Sequence, residues 1–138
     1  MSVLVDTPIW ALALRRTAGD LNPEQLHLRS ALEELIREGR AQLIGPVRQE
    51  LLSGIRQEAI FKKVRDSLRA FDEPGFEVAD YEEAAQISNR CRSRGIAGSA
   101  VDFFLCAIAL RRRWKIFTTD QDFTHYARVV SLKLYKAI

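Results

Sequence analysis

The chain has 138 residues, 47% of them hydrophobic and 28% charged, with a formal net charge of +3. One globular domain over 1–138 is therefore expected, basic enough to permit a nucleic-acid partner without demanding one. Cys91 and Cys106 make neither a disulfide framework nor a zinc site, no stretch is apolar for long enough to span a bilayer, and the short N-terminal apolar run lacks the basic flank of a secretory signal, so a cytoplasmic protein with no membrane partner is expected.

In chain order, Val3-Leu4-Val5 reads as a buried strand cut short by Asp6-Thr7-Pro8. An acid or hydroxyl just before a proline is a helix-start signal, so a first helix is expected over about 9–15. A Gly19-Asp20 turn follows. Asn22-Pro23-Glu24-Gln25 has the form of an N-cap, a proline at the first helical position and a capping-box partner. Leu28, Ala31, Leu32, Leu35 and Ile36 then recur at helical spacing until Gly39. Residues 41–44 read as a second strand, and Pro46 opens a third helix that carries Glu50 and stops at Gly54. Ile60, Val64, Leu68 and Phe71 mark a fourth helix, 76–78 a short strand, and 81–91 a fifth helix ended by Gly95. The sixth helix, 100–110, is apolar on nearly every face and is expected to be deeply buried. Residues 115–118 read as a strand, with a short helix after Asp120-Gln121-Asp122. Val130, Leu132 and Leu134 alternate with Ser131, Lys133 and Tyr135, which suits an edge strand. Strands alternating with helices imply an α/β fold, a three-layer α/β/α arrangement around a mostly parallel sheet of about four to five strands.

Asp6, Glu50, Asp102 and Asp120 stand where simple solvation is the harder account. Each has an ordinary alternative. Asp6 and Asp120 can cap the helices that follow them, Glu50 can be a surface acid, and Asp102 can pair with Ser99 in a capping box. Asp102 fits its alternative worst, because it is the one charged residue between Ser99 and Leu110, where an unpaired carboxylate is costly. Together the acids say more. Asp6 and Asp120 follow strands expected to be parallel, so both project from one edge of the sheet, and the helix of Glu50 begins at that edge. Acids gathered there repel one another unless a cation lies between them, and oxygen-only donors suit Mg²⁺ or Mn²⁺ over zinc. Such a centre supports phosphodiester hydrolysis, the cation activating water and neutralising charge in the transition state. Asp122 is placed to act as an auxiliary acid, and the hydroxyls of Thr7 and Thr118 to orient a ligand or a water.

Other chemistries fare worse. His27 and His125 lack metal spacing, and His125 beside Tyr126 reads as the surface of a helix. There is no Gly-x-Ser-x-Gly elbow and no phosphate-cradling glycine loop. The basic groups Arg15-Arg16, Lys62-Lys63, Arg90/Arg92/Arg94 and Arg111-Arg112-Arg113 read singly as solvated helix faces or as cations at helix C-termini.

Val5-Asp6-Thr7 after an N-terminal strand, Glu50-Leu51-Leu52-x-Gly54, Asp102 in an alanine-rich apolar helix, and Thr118-x-Asp120-x-Asp122-Phe123 together resemble the PIN-domain family. Among its branches the resemblance is to the VapC-type toxins of bacterial toxin–antitoxin pairs, over essentially the entire chain. It implies a metal-dependent endoribonuclease, the toxin of a type II pair, with Asp6, Glu50, Asp102 and Asp120 as an acidic quartet around Mg²⁺ or Mn²⁺ and Asp122 as the auxiliary acid. It also implies structured RNA such as tRNA or rRNA as substrate, a homodimer, and inhibition by a small cognate antitoxin, often through a basic side chain offered to the acidic pocket. Pro8 departs from the family, where a small polar residue is common, and removes one backbone N–H. Two other readings stay open: a PIN-type RNA-processing nuclease without a toxin role, and a nuclease-dead binding module, against which the complete acidic set counts.

Overall fold

The computed structural model describes all residues 1–138. Three short strands, β1 (Val3–Val5), β2 (Ala41–Gln42) and β3 (Lys115–Phe117), form one parallel sheet in the order β2-β1-β3. Leu4 pairs with Gln42 on one side and with Ile116 on the other. All three side chains of β1 are fully buried, as a parallel strand covered on both faces must be.

Helices α1 (Thr7–Leu14) and α2 (Pro23–Arg37) fill the crossover from β1 to β2. Between β2 and β3 lie α3 (Gly45–Leu52), α4 (Glu58–Leu68), α5 (Val78–Ser93) and α6 (Ala100–Arg112), and α7 (Asp122–Tyr126) follows β3. The helices pack in two groups, α1 with α2 and α3 with α4 on α3, and α5 with α6. Right-handed crossovers that leave the central strand in opposite directions put such groups on opposite faces of the sheet. No helix is long and apolar enough to cross a membrane.

Local chemistry sets the boundaries. Asn22 and Gln25 form the reciprocal capping box at the start of α2, and Gly39, at φ +69°, lets the chain turn so that the Arg40 N–H reaches the Leu35 carbonyl. In α6 every residue from Phe103 to Ala109 is buried. Its far end is pinned by Asp80 of α5, which is 1% exposed and accepts hydrogen bonds from Arg111 and Arg112. Those guanidiniums hold the Asp80 carboxyl down at about 2.

The sheet is smaller than the sequence predicts, with three strands where about four to five were expected. Residues 76–78 are not a strand. Glu77 caps α5, exchanging hydrogen bonds with Asp80, so the cap and the Asp80 ion pairs override the β-branched Val78. Residues 130–135 also fail to make a strand; the segment meets β3 only through a parallel bridge between Ile116 and Leu134, with Ile116 bonding to the Lys133 carbonyl and the Tyr135 N–H. The second strand covers only Ala41–Gln42, because Leu43 and Ile44 are already extended, buried lead-in to α3.

Candidate active site

Asp6 ends β1 and caps α1. Its carboxylate accepts the Thr7 N–H at 2.8 Å through one oxygen and the Thr118 hydroxyl at 2.8 Å through the other. The cap expected from the sequence is therefore formed, by the same carboxylate that Thr118 holds. Asp6 is 5% exposed, and burial pushes its carboxyl up to about 6, the charges of Asp102 and Glu50 adding to the rise and the two hydrogen bonds opposing it. Pro8 lies in the first turn of α1, where a backbone N–H has no helical partner, so its loss leaves the helix intact.

Asp120 and Asp122 follow β3. Thr118, having donated its proton to Asp6, accepts the Asp120 N–H at 3.0 Å, and Asp120 in turn accepts the Asp122 N–H at 2.9 Å. Asp102 comes in from α6. Ser99 accepts the Asp102 N–H at 3.1 Å, which is half of the predicted capping box. The carboxylate does not return the bond; it accepts the Tyr126 hydroxyl at 2.8 Å instead. Burial raises the Asp102 pKa, and the neighbouring charges of Asp120 and Asp122 raise it further.

Oxygens of Asp102, Asp120 and Asp122 all lie within 4.8 Å of one another. Asp122, an auxiliary residue in the sequence reading, is thus a full member of this group, while Asp6 and Glu50, expected in the quartet, lie outside it, Asp6 close enough to feel the charges of Asp102 and Glu50. Glu50 is exposed on α3 and accepts the Thr7 hydroxyl at 2.6 Å, which ties it to the turn after Asp6. None of these five acids takes part in an ion pair; the ion pairs of the molecule lie elsewhere. A close, cation-free set of oxygen donors, with the pKa of Asp102 within it and of Asp6 beside it raised, fits a hard divalent cation such as Mg²⁺ or Mn²⁺. Asp102, Asp120 and Asp122 have the spacing to hold it, with Asp6 and Glu50 alongside.

Sequence reasoning missed Tyr126. It is fully buried while its neighbour His125 is exposed, and its ring packs on Phe103 and Phe123. The available signal was its helical spacing from Phe123. Gly98 belongs to the same arrangement: a Cβ there would collide with the Tyr126 hydroxyl and stand 2.7 Å from Phe103 Cζ. Also missed was a groove of about 650 Å³ in which Phe76, Tyr81 and Phe104 face Gln49 and Glu50, so that it adjoins the acids.

The PIN-domain family model matches residues 3–129. No curated protein matches the chain significantly. Among solved structures, FitAcB from Neisseria gonorrhoeae aligns over 98% of this chain and 97% of its own, with a TM-score of 0.75 at 18% identity. VapBC2 from Rickettsia felis, bound to a DNA fragment from its promoter, aligns over 98% of both chains with a TM-score of 0.73 at 16% identity. FitAB bound to an IR36 DNA fragment aligns over 96% of this chain and 93% of its own, with a TM-score of 0.73 at 17% identity. At these identities the likeness is one of fold.

Proposed function

The chain belongs to the PIN-domain family, and from that premise we propose that it is a metal-dependent endoribonuclease, the toxin of a type II toxin–antitoxin pair. The observation that carries this reading is the grouping of Asp102, Asp120 and Asp122 at ligand spacing beside buried Asp6, with no cation among them. In it, Asp102, Asp120 and Asp122 hold Mg²⁺ or Mn²⁺, with Asp6 and Glu50 completing the acidic rim. A bound ion of this kind activates water and neutralises charge on the phosphate being attacked.

The chain's own residues orient the acids. Thr7 and Thr118 fix both oxygens of Asp6, Thr7 also anchors Glu50, and Tyr126 donates to one oxygen of Asp102. Carboxylates held this way need little rearrangement on binding a cation, which is the preorganisation that catalysis of this type requires. RNA is the proposed substrate, with structured tRNA or rRNA as the class. Its phosphates cannot approach bare acids, so seating at the centre depends on the cation, while binding overall depends on surrounding Arg and Lys and weakens with salt.

The aromatic groove beside Glu50 suits a cognate antitoxin that lays apolar side chains along Phe76, Tyr81 and Phe104 and extends one basic side chain towards the acids. FitAB and VapBC2, whose fold is shared, are two-component assemblies bound to DNA. By the same reading this chain works as a homodimer in the cytoplasm and pairs with such a partner.

Purified protein free of antitoxin, incubated with tRNA and with rRNA, is expected to cleave in Mg²⁺ or Mn²⁺ and to stop in EDTA. Asp6→Asn should lower the rate at least a hundredfold. Cleavage that persists in EDTA, or that Asp6→Asn leaves intact, contradicts the assignment.

A further inference from the structure

The opposite edge of the sheet carries a second candidate site, and we propose that it binds backbone phosphates of the folded RNA substrate at a distance from the bond being cut. A cavity of about 620 Å³ lies where α6 ends and β3 begins, lined among others by Met1, Arg113, Trp114, Lys115, Ser131 and Lys133. Its lining holds three cations and no carboxylate. Arg111 and Arg112 are engaged with Asp80, but Arg113, Lys115 and Lys133 take part in no ion pair. The ordinary account is that cations collect at a helix C-terminus. That end of α6 offers only about half a negative charge, and Arg111 and Arg112 already stand in its last turn. The remaining three come from three different segments and leave the cavity with a clear positive excess.

The chemistry favours backbone phosphates over a single free nucleotide. A lone phosphate is cradled by convergent backbone N–H groups, and here the N–H groups of Arg113 and Trp114 both bond back to the Ala109 carbonyl. Recognition therefore falls to dispersed side-chain charges, which suit a run of phosphates. Arg113 lies eleven residues beyond Asp102, about 16 Å along α6 at 1.5 Å per residue. A folded RNA is wide enough to reach both edges, whereas a trinucleotide seated at the acids, about 7 Å long at 3.4 Å per step, is not.

This proposal rests on the ribonuclease reading for its ligand, and its test separates the two. Arg113 adopts φ +60° and ψ +40°, a conformation glycine accepts more readily than arginine. Arg113→Gly therefore removes the charge without straining the fold. The triple variant R113G/K115Q/K133Q is compared with the unmodified chain for binding of bulk tRNA across a salt series in EDTA, and for cleavage of a trinucleotide in Mn²⁺. The expected result is tRNA affinity at least tenfold weaker, a log–log salt slope shallower by about two units, and trinucleotide cleavage unchanged. Unchanged tRNA affinity overturns the proposal and points to an acidic protein partner or to plain solvation. Equal losses for tRNA and trinucleotide overturn it too, because the cations then act on the acidic site. If the unmodified chain binds tRNA through these residues but cuts nothing, the ribonuclease reading fails while this site stands; if it binds no tRNA, this site fails as well.

Discussion

Asp6 joins two demands in one side chain, since it closes the first turn of α1 and brings a charge into a place that resists charge. Its carboxyl is pushed up to about 6 from an ordinary 3.8, so the folded chain holds this proton more tightly than the unfolded chain does. Stability due to protonated Asp6 is accordingly present below about pH 4 and is lost as pH rises through about 6, an effect of roughly 2–3 kcal/mol. Thermal melts in EDTA should give a Tm several degrees lower at pH 7 than at pH 5. Asp6→Asn, which keeps a capping oxygen but cannot ionise, should flatten that difference; an equal slope in both proteins would place its origin elsewhere. Tyr126 is the other residue that repays attention, because its buried hydroxyl holds Asp102 in position. Tyr126→Phe should cost about 1–2 kcal/mol of stability and weaken Mn²⁺ binding about tenfold, as loss of a group that orients a ligand does. Calorimetric affinity within twofold of the unmodified chain would make Tyr126 a packing residue only.

Helix α6 links the site to the rest of the fold. Asp102 stands in its first turn, its middle is sealed in the core, and Arg111 and Arg112 at its end clasp Asp80 at the start of α5. With its carboxyl held at about 2, Asp80 contributes stability that is present above about pH 4 and is lost as pH falls towards 2. Asp80→Asn should cost about 3 kcal/mol, the low end for breaking a buried pair because both guanidiniums reach solvent. Urea denaturation at pH 7 measures it, and a loss under 1 kcal/mol would contradict the account. Asp80 also explains why the sequence misleads at 76–78. Phe-Glu-Val has strand propensity, but the deciding contacts are to Arg111 and Arg112, which lie far along the chain and are invisible to local patterning. The predicted edge strand at 130–135 fails for a related reason: alternation fixes which side chains face inward, yet only Leu134 finds a ladder partner on β3.

Across the fold, the legible features are those with a local cause. Val3-Leu4-Val5 followed by an acid and a proline specifies a buried strand, a sharp turn and a helix, and that is what forms. The parallel order β2-β1-β3 then carries Asp6 and Asp120 to one edge, as the alternation of elements implied. What could not be read was the arrangement within the acidic group: that Asp122 stands with Asp120 and Asp102, that Thr7 reaches Glu50, and that the Tyr126 hydroxyl donates to Asp102. Those contacts depend on helix placement to within an ångström or so, which no periodicity encodes.

The claim on which the rest depends is that these acids assemble to hold a divalent cation. Titration of Mn²⁺ into metal-free protein at pH 7, followed by calorimetry, tests it without reference to any RNA. The account predicts saturable binding that D102N and D120N each weaken at least tenfold, and that strengthens as pH rises through about 6. Absence of saturable binding, or binding that both substitutions leave unchanged, would contradict it.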